Sequence, residues 1–138
     1  MISFTAYGKP EPQGSVRAFV HKGTGRPILT SANPKVKDWR EVIAWGAREA
    51  MAGDQPYEGP IEIRASFYMP RPKSVKREHP TVKPDLDKLQ RALLDALTSI
   101  VYRDDAQVVE IRASKHYVNA EVPQPCVGVW VSEMGGEG

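Results

Sequence analysis

The chain has 138 residues, 41% of them apolar, which suits one domain with a buried core. Its formal net charge is only +2, so overall charge does not indicate a nucleic-acid-binding protein, and local clusters must decide that question. The single cysteine, Cys126, excludes an intrachain disulfide and an all-cysteine metal site. The opening residues contain no apolar run as long as a signal peptide or a membrane span. We therefore expect a single cytoplasmic domain over residues 1–138.

The N-terminal part of the chain predicts three strands and a helix. Alternating apolar and polar residues indicate strands over 2–7, 16–20 and 27–30, the last two joined by the glycine-containing turn HKGTGR. Asn33 can cap a helix, Pro34 suits its first position, and Gly53 can end it. Five apolar residues of this helix fall on one face, and they are Val36, Trp39, Ile43, Ala47 and Ala50.

The C-terminal part predicts three more strands and a second helix. The strands are expected over 61–69, 109–113 and 127–131, each with apolar residues at alternate positions. The second helix follows the stretch 70–84, with Asp87 in its first turn, and its apolar stripe consists of Leu86, Leu89, Leu93, Leu97 and Ile100. The sum is a single α+β domain: a mixed β-sheet of about six strands with two main helices packed on one face.

Residues 70–84, PRPKSVKREHPTVKP, have no apolar period and contain four prolines. We expect them to form a mobile basic loop. One interpretation is an ordinary solvated loop, and the other is a surface that binds DNA phosphates. The loop's position directly before an acidic stretch favours the second. Its cationic residues are Arg71, Lys73, Lys76, Arg77 and Lys83.

Asp85 and Asp87 flank one leucine at the start of the second helix. Side chains two residues apart in a helix lie roughly 200° apart, so these carboxylates can converge only if the helix begins at or between them. Pro84 favours such a start, which would place Asp85 on the extended approach and Asp87 in the first turn, both facing the positive helix N-terminus.

A second acidic pair, Asp104 and Asp105, follows the helix. The helix from Asp87 rises about 18 Å and an extended IVYRDD covers roughly 20 Å, so a chain running back returns this pair to the vicinity of Asp87. Only one of the two can point into the site if the segment is extended. We choose Asp105, because it opens the predicted strand, and keep Asp104 as the second candidate.

Three carboxylates in one site repel each other unless a cation neutralises them. Oxygen ligands without histidine or cysteine suit Mg²⁺, or Mn²⁺, rather than zinc. The sequence thus predicts a metal site formed by Asp85, Asp87 and Asp105. The alternative is that Asp87 only caps the helix and that Asp104 and Asp105 only form a turn.

Three further charged residues lie along the second helix. Arg91 is one turn after Asp87, and Asp95 is one turn after Arg91. Arg91 is either a cation for a phosphate beside the metal or the surface partner of Asp95, and we assign Asp95 mainly to that pairing. Lys88 contacts either a phosphate or solvent.

The stretches KPDLDKLQRALLDAL and IVYRDDAQVVEI resemble the RusA family of Holliday junction resolvases, which is common in bacteria and their phages. The family pattern is DLDNL, a lysine, a leucine-containing helix and DDAQV, and it covers about residues 83–111 closely. GKPEPQGSVRAF and NPKVKDWR are more loosely similar to phage-type members.

The resemblance implies a homodimeric endonuclease that binds four-way DNA junctions, nicks two opposed strands, and uses Mg²⁺ but no organic cofactor or membrane. It implies metal ligation by Asp85, Asp87 and Asp105. Two positions depart from the pattern, since Arg91 replaces the family's catalytic lysine and Lys88 replaces an asparagine. Arginine keeps the charge but cannot donate a proton near neutral pH.

DNA would be held by the basic loop and Lys88, with Arg17, Lys22 and Arg26 of the predicted hairpin extending the surface. Two other functions remain open on the sequence alone. One is a junction-binding protein with weak or no cleavage, which the departures at Arg91 and Lys88 suggest. The other is a metal-dependent transferase that uses an Asp-x-Asp motif, although no nucleotide-binding βαβ unit is found.

Overall fold

The structure is a computed structural model that describes residues 1–14, 16–20, 23, 25, 27–31 and 34–135, with backbone only for 16–20 and 27–31. Its strands are β1 (Ile2–Tyr7), β2 (Val16–Val20), β3 (Pro27–Ser31), β4 (Ile61–Met69), β5 (Val108–Tyr117) and β6 (Cys126–Glu133). Its helices are α1 (Val36–Met51) and α2 (Leu86–Leu97), and a short 3₁₀ helix spans Asp105–Gln107. The predicted α+β class with two main helices is confirmed.

The main sheet contains four strands in the order β1-β6-β4-β5. β6 pairs antiparallel with β1 and β4, whereas β4 pairs parallel with β5. The parallel pair follows from the chain path, because α2 lies between these two strands and serves as their crossover.

The predicted sheet of about six strands is not confirmed. β2 and β3 form a separate antiparallel ribbon of two strands instead of extending the main sheet. Local alternation predicts that a segment is extended, but sheet membership depends on pairing between distant segments, which alternation does not encode.

One face of the main sheet carries the core. Alternate residues of β4, including Ile63 and Phe67, are buried, whereas the residues between them are half-buried or exposed. α1 packs against β1 and α2, and α2 packs against β5, so the helices lie on the apolar face. Burial of this face against two amphipathic helices supplies the main hydrophobic stabilisation.

α1 begins at Val36, with Lys35 at its N-cap, rather than at the predicted Asn33-Pro34. Pro34 lies in the preceding turn, and Asn33 is outside the described residues. The helix ends at Met51, after which Ala52 and Gly53 both adopt positive φ.

α2 begins as predicted, since Asp85 is an N-cap residue with extended backbone and Asp87 lies in the first turn. Its buried residues are Leu89, Ala92, Leu93, Ala96 and Leu97. The predicted inclusion of Ile100 is wrong: Thr98 is extended and Ser99 has φ 73, so the helix ends at Leu97. No helix in the described ranges has the length and apolar character needed to cross a membrane.

Candidate active site

A cleft of about 730 Å³ lies along the polar side of α2. Its walls come from three separate parts of the chain: the segment before β2, the first three turns of α2, and the 3₁₀ helix. The lining residues are Gln13, Gly14, Asp87, Lys88, Gln90, Arg91, Leu94, Asp95 and Asp105.

α2 places three charged side chains in this cleft at intervals of one turn. Asp87, Arg91 and Asp95 are all exposed, because they lie away from the buried leucines of the same helix. Residues four apart share a helix face, so the buried stripe that anchors α2 also determines which charges line the cleft. Asp87 lies in the first turn, where the helix dipole favours a negative charge.

The 3₁₀ helix distinguishes Asp104 from Asp105. The Asp104 Oδ1 accepts a hydrogen bond of 2.9 Å from the Ala106 amide, and the Gln107 side chain accepts one of 3.0 Å from the Asp104 amide. This capping box occupies the Asp104 carboxylate, whereas Asp105 is exposed and lines the cleft.

The expectation that Asp105 opens a strand is wrong. Asp105 begins the 3₁₀ helix, and β5 starts three residues later at Val108. The physical reason is the local cap, since a carboxylate that accepts from the amide two residues on favours a turn over continued extension. The Gln107 Nε2 fixes this turn to the rest of the fold by donating to the Tyr57 and Gly59 carbonyls at 2.9 and 3.0 Å.

Asp85 faces a different recess from Asp87 and Asp105. It lines an adjoining hollow of about 450 Å³ that includes residues 9–12, and its Oδ1 lies 3.8 Å from the Lys83 Nζ. Lys88 borders both the hollow and the cleft. Within the described ranges, no three His, Cys, Asp or Glu side chains are grouped closely enough to hold a metal ion.

The structure thus brings Asp87, Arg91 and Asp105 to one cleft and leaves Asp85 beside it. The expected pairing of Asp95 with Arg91 is wrong, because the Asp95 Oδ2 lies 3.8 Å from the Nη1 of Arg40 on α1. The Arg91 side chain has no hydrogen bond or ion pair with any other described residue, and it lines the cleft.

A buried tyrosine lies behind the cleft. Tyr102 is fully buried, and its hydroxyl donates a hydrogen bond of 2.8 Å to the carbonyl of Leu94. Burial raises the pKa of Tyr102, and the negative charges of Asp105 and Asp95 raise it further. The tyrosine therefore remains a neutral donor to Leu94, which lines the cleft.

Two arginines of the predicted basic loop pack around Tyr117 at the end of β5. The Arg77 Nε donates to the Tyr117 hydroxyl at 2.8 Å, and the guanidinium carbons of Arg71 and Arg77 lie 5.5 and 5.8 Å from the ring centroid. Lys73 and Lys76 are exposed between them. These contacts pack two cationic guanidinium groups against one aromatic ring at the protein surface.

The far end of the loop is attached to β5. The Lys115 Nζ donates to the carbonyls of Val82 and Pro84 at 2.7 and 2.8 Å. This contact attaches the end of the loop, directly before α2, to β5. The mobility expected for the loop stays a prediction. The side chains of Arg17, Lys22 and Arg26 lie outside the described residues.

Sequence reasoning missed two residues of the site, Gln13 and Arg40. Gln13 lines the cleft and accepts a hydrogen bond of 2.7 Å from the Arg40 Nη1. Arg40 lies on the polar face of α1, at the end of the NPKVKDWR stretch, to which the resemblance assigned no site residue. Only the packing of α1 against α2 brings it to the site.

Residues 8–124 match the protein family described as Endodeoxyribonuclease RusA, a span that contains the cleft, the basic loop and the 3₁₀ helix. The chain is also similar to a protein of Bacillus subtilis (strain 168) described as "Uncharacterized protein YqaN". The two are 32% identical over 145 aligned residues, and the alignment covers 96% of each. The family predicted from the sequence is thereby confirmed, and the chain belongs to the RusA endodeoxyribonuclease family.

Proposed function

We propose that this protein is a divalent-metal-dependent endonuclease that binds four-way DNA junctions and resolves them by paired, symmetric nicks during recombination and repair. The observation that carries the proposal is the combination of Asp87, Arg91 and Asp105 in one cleft along the helix that follows the cationic loop. Family membership supports the nuclease activity.

The carboxylates of the cleft suit a hard cation. Asp87 and Asp105 have no hydrogen-bond or ion-pair partner for their side chains among the described residues, so their oxygens are open to a ligand. Mg²⁺ keeps several of its waters and is commonly held by one or two carboxylates plus substrate phosphates. Two carboxylates in one cleft are therefore enough protein ligands for Mg²⁺.

Asp85 is the third proposed ligand, from the adjoining recess. Its side chain is 47% exposed, and its Lys83 partner is 87% exposed at 3.8 Å. Such an exposed pair contributes little, so the Asp85 carboxylate can leave Lys83 for a cation at small cost. A bound Mg²⁺ would supply Lewis-acid activation of water and offset the charge of the scissile phosphate.

The chain's own residues orient the substrate. Arg91 can hold a non-bridging phosphate oxygen and offset the charge that develops during attack by water. The new bond joins the water oxygen to phosphorus, and the P–O3′ bond breaks. The water's proton passes to solvent and the 3′ oxygen takes one up, which leaves a 5′-phosphate and a 3′-hydroxyl that ligase can reseal. Arg91 cannot donate that proton, so solvent supplies it.

The basic loop and the symmetry of a dimer would select a junction. Arg71, Lys73, Lys76 and Arg77 would hold backbone phosphates, with Lys83 and Lys88 closer to the cleft. A homodimer with a two-fold axis presents two clefts to the two opposed strands of a pseudo-symmetric junction, which accounts for paired nicks.

One observation favours a second function, junction binding with weak or no cleavage. Asp85 faces a separate recess, and the family's lysine is replaced by Arg91. A protein that cannot gather all three carboxylates would bind junction DNA through its loop but nick it slowly.

The experiment uses a four-way junction labelled on each strand in turn, with and without Mg²⁺. We expect the wild-type protein to make symmetric nicks on two opposed strands when Mg²⁺ is present and none when it is absent. Asp87→Asn and Asp105→Asn should make no nicks in either condition. Asp54→Asn is the matched control, because Asp54 is exposed in the loop after α1, away from the cleft. Binding without nicks by the wild-type protein would select the second function, and nicking by Asp87→Asn at the control rate would overturn the first.

A further inference from the structure

The segment that precedes β2 forms the wall of the cleft across from α2. The backbone N–H of Gln13 donates a hydrogen bond of 3.0 Å to the backbone carbonyl of Lys88 in the first turn of α2. This backbone hydrogen bond fixes the position of the segment relative to α2. Gln13 and Gly14 of the segment both line the cleft. The wall is thus built onto the helix that carries Asp87 and Arg91.

Arg40 fixes the side chain of Gln13 as well. The Arg40 Nη1 donates to the Gln13 Oε1 at 2.7 Å in a partly buried contact, and the same nitrogen lies 3.8 Å from the Asp95 Oδ2. Arg40 comes from α1, so one guanidinium connects α1, α2 and the cleft wall. It also pairs with Asp95, so the Asp95 carboxylate faces α1 rather than Arg91.

The chemistry of arginine decides which way the Gln13 amide points. A guanidinium has only donors, so the atom that faces it must be the amide oxygen. The Gln13 Nε2 then points away from Arg40, and neither hydrogen on this nitrogen has an acceptor among the described residues. Gln13 is half-buried and lines the cleft, so this NH₂ group is an oriented neutral donor there.

We propose that Gln13 binds a non-bridging oxygen of a DNA phosphate in the cleft through its Nε2, and that Arg40 is the positioning residue that sets the amide orientation. The proposal rests on the proposed nuclease function and adds a residue to its substrate contacts. A phosphate oxygen is the matching acceptor, because Arg91 supplies a second donor to the same cleft. Gln13 adds no charge that would compete with a cation for the carboxylates.

Gln13→Glu separates this role from a structural one. The glutamate retains an oxygen for Arg40 and converts that hydrogen bond into a salt bridge, so the melting temperature should not fall. It replaces the NH₂ donors with an anionic oxygen that repels phosphate. We expect kcat/KM for junction cleavage to fall about 10- to 100-fold, in line with loss of a hydrogen bond to a charged group.

The matched control is Gln124→Glu. Gln124 is exposed in the connection between β5 and β6, outside the cleft, and its substitution makes the same change in net charge. Gln13→Met is the second variant, since it removes the donor without adding charge and should also lower kcat/KM. Cleavage by Gln13→Glu and Gln13→Met at the Gln124→Glu rate would overturn the proposal.

Junction affinity in Ca²⁺ distinguishes failure of this inference from failure of the proposed function. If the wild-type protein does not cleave, the nuclease proposal fails, and affinity still tests Gln13. Weaker junction binding by Gln13→Glu than by Gln124→Glu supports the phosphate contact, and equal binding refutes it.

Discussion

Arg40 of α1 and Asp95 of α2 form an ion pair, with 3.8 Å between Nη1 and Oδ2. Asp95 is four residues after Arg91 on the same helix face, and the helical spacing alone pairs these two. The tertiary contact places the Asp95 charge beside Arg40 instead. The consequence is functional, because the Arg91 side chain lines the cleft without an ion-pair partner among the described residues, where a phosphate would lie.

Arg91→Ala should lower the rate of junction nicking by about 100-fold, which is typical of losing one preorganised donor at a developing charge. Its melting temperature should stay within one degree or so of wild type, since Arg91 has no described partner to lose. Arg91→Lys should retain most of the activity, because lysine also offers a cation. Single-turnover nicking and thermal denaturation provide the measurements, and wild-type nicking by Arg91→Ala would contradict the assigned role.

Asp95→Asn should reduce the free energy of unfolding by only about 0.5 kcal/mol, because the Arg40–Asp95 pair is more than one-third exposed on both sides and is screened by solvent. Urea denaturation measures this change. The loss should shrink as salt concentration rises, since screening weakens the pair in the wild-type protein. A loss that does not depend on salt would show that the carboxylate acts by some contact other than this ion pair.

Leu93→Ala should cost about 3 kcal/mol of unfolding free energy, because Leu93 is completely buried on the face of α2 that anchors the cleft. Val109→Ala is the control, since Val109 on β5 is 62% exposed and should change stability by less than about 0.5 kcal/mol. Equilibrium denaturation of both variants makes the comparison. Equal losses would mean that α2 is not held by its leucine stripe.

Tyr117→Phe should weaken junction binding a few-fold without preventing cleavage of the bound junction. The substitution removes the acceptor of the 2.8 Å bond from Arg77 but keeps the ring beneath Arg71 and Arg77. Without this hydrogen bond the Arg77 side chain should adopt more conformations, and a smaller fraction of them should be able to bind a phosphate. Tyr68→Phe, in β4, is the matched control, because Tyr68 stacks on His116 rather than on the loop. Affinity measured over a range of salt concentrations is the readout, and identical curves for both variants would argue against a role for the Tyr117 hydroxyl.

Stability should fall as pH rises above about 9, the ordinary range in which cysteine and then tyrosine ionise. Burial raises the pKa of Cys126, and burial together with nearby acidic charge raises the pKa of Tyr102. Both groups then keep their protons in the folded state while the unfolded chain releases them, so unfolding is favoured as pH increases. Cys126→Ala should make the decline shallower near pH 9, and denaturant titrations at several alkaline pH values measure the slope.

The sequence by itself determined the local elements and the family. Periodicity placed β4 and the start of α2 at the residues where the structure has them, since alternation and a helix stripe are imposed by the backbone geometry of each segment. The Asp-Leu-Asp and Asp-Asp-Ala-Gln-Val stretches identified the RusA family, and the family match confirms it. These features lie within short segments, so they can be read without knowing the fold.

The tertiary structure alone decided which distant strands and side chains contact each other. It separated β2 and β3 from the main sheet and turned Asp85 toward a neighbouring recess. It also brought Arg40 to Gln13 and Asp95, which no motif connects. A side chain's partner depends on which distant elements pack together, and that packing minimises the free energy of the whole chain rather than of any one segment.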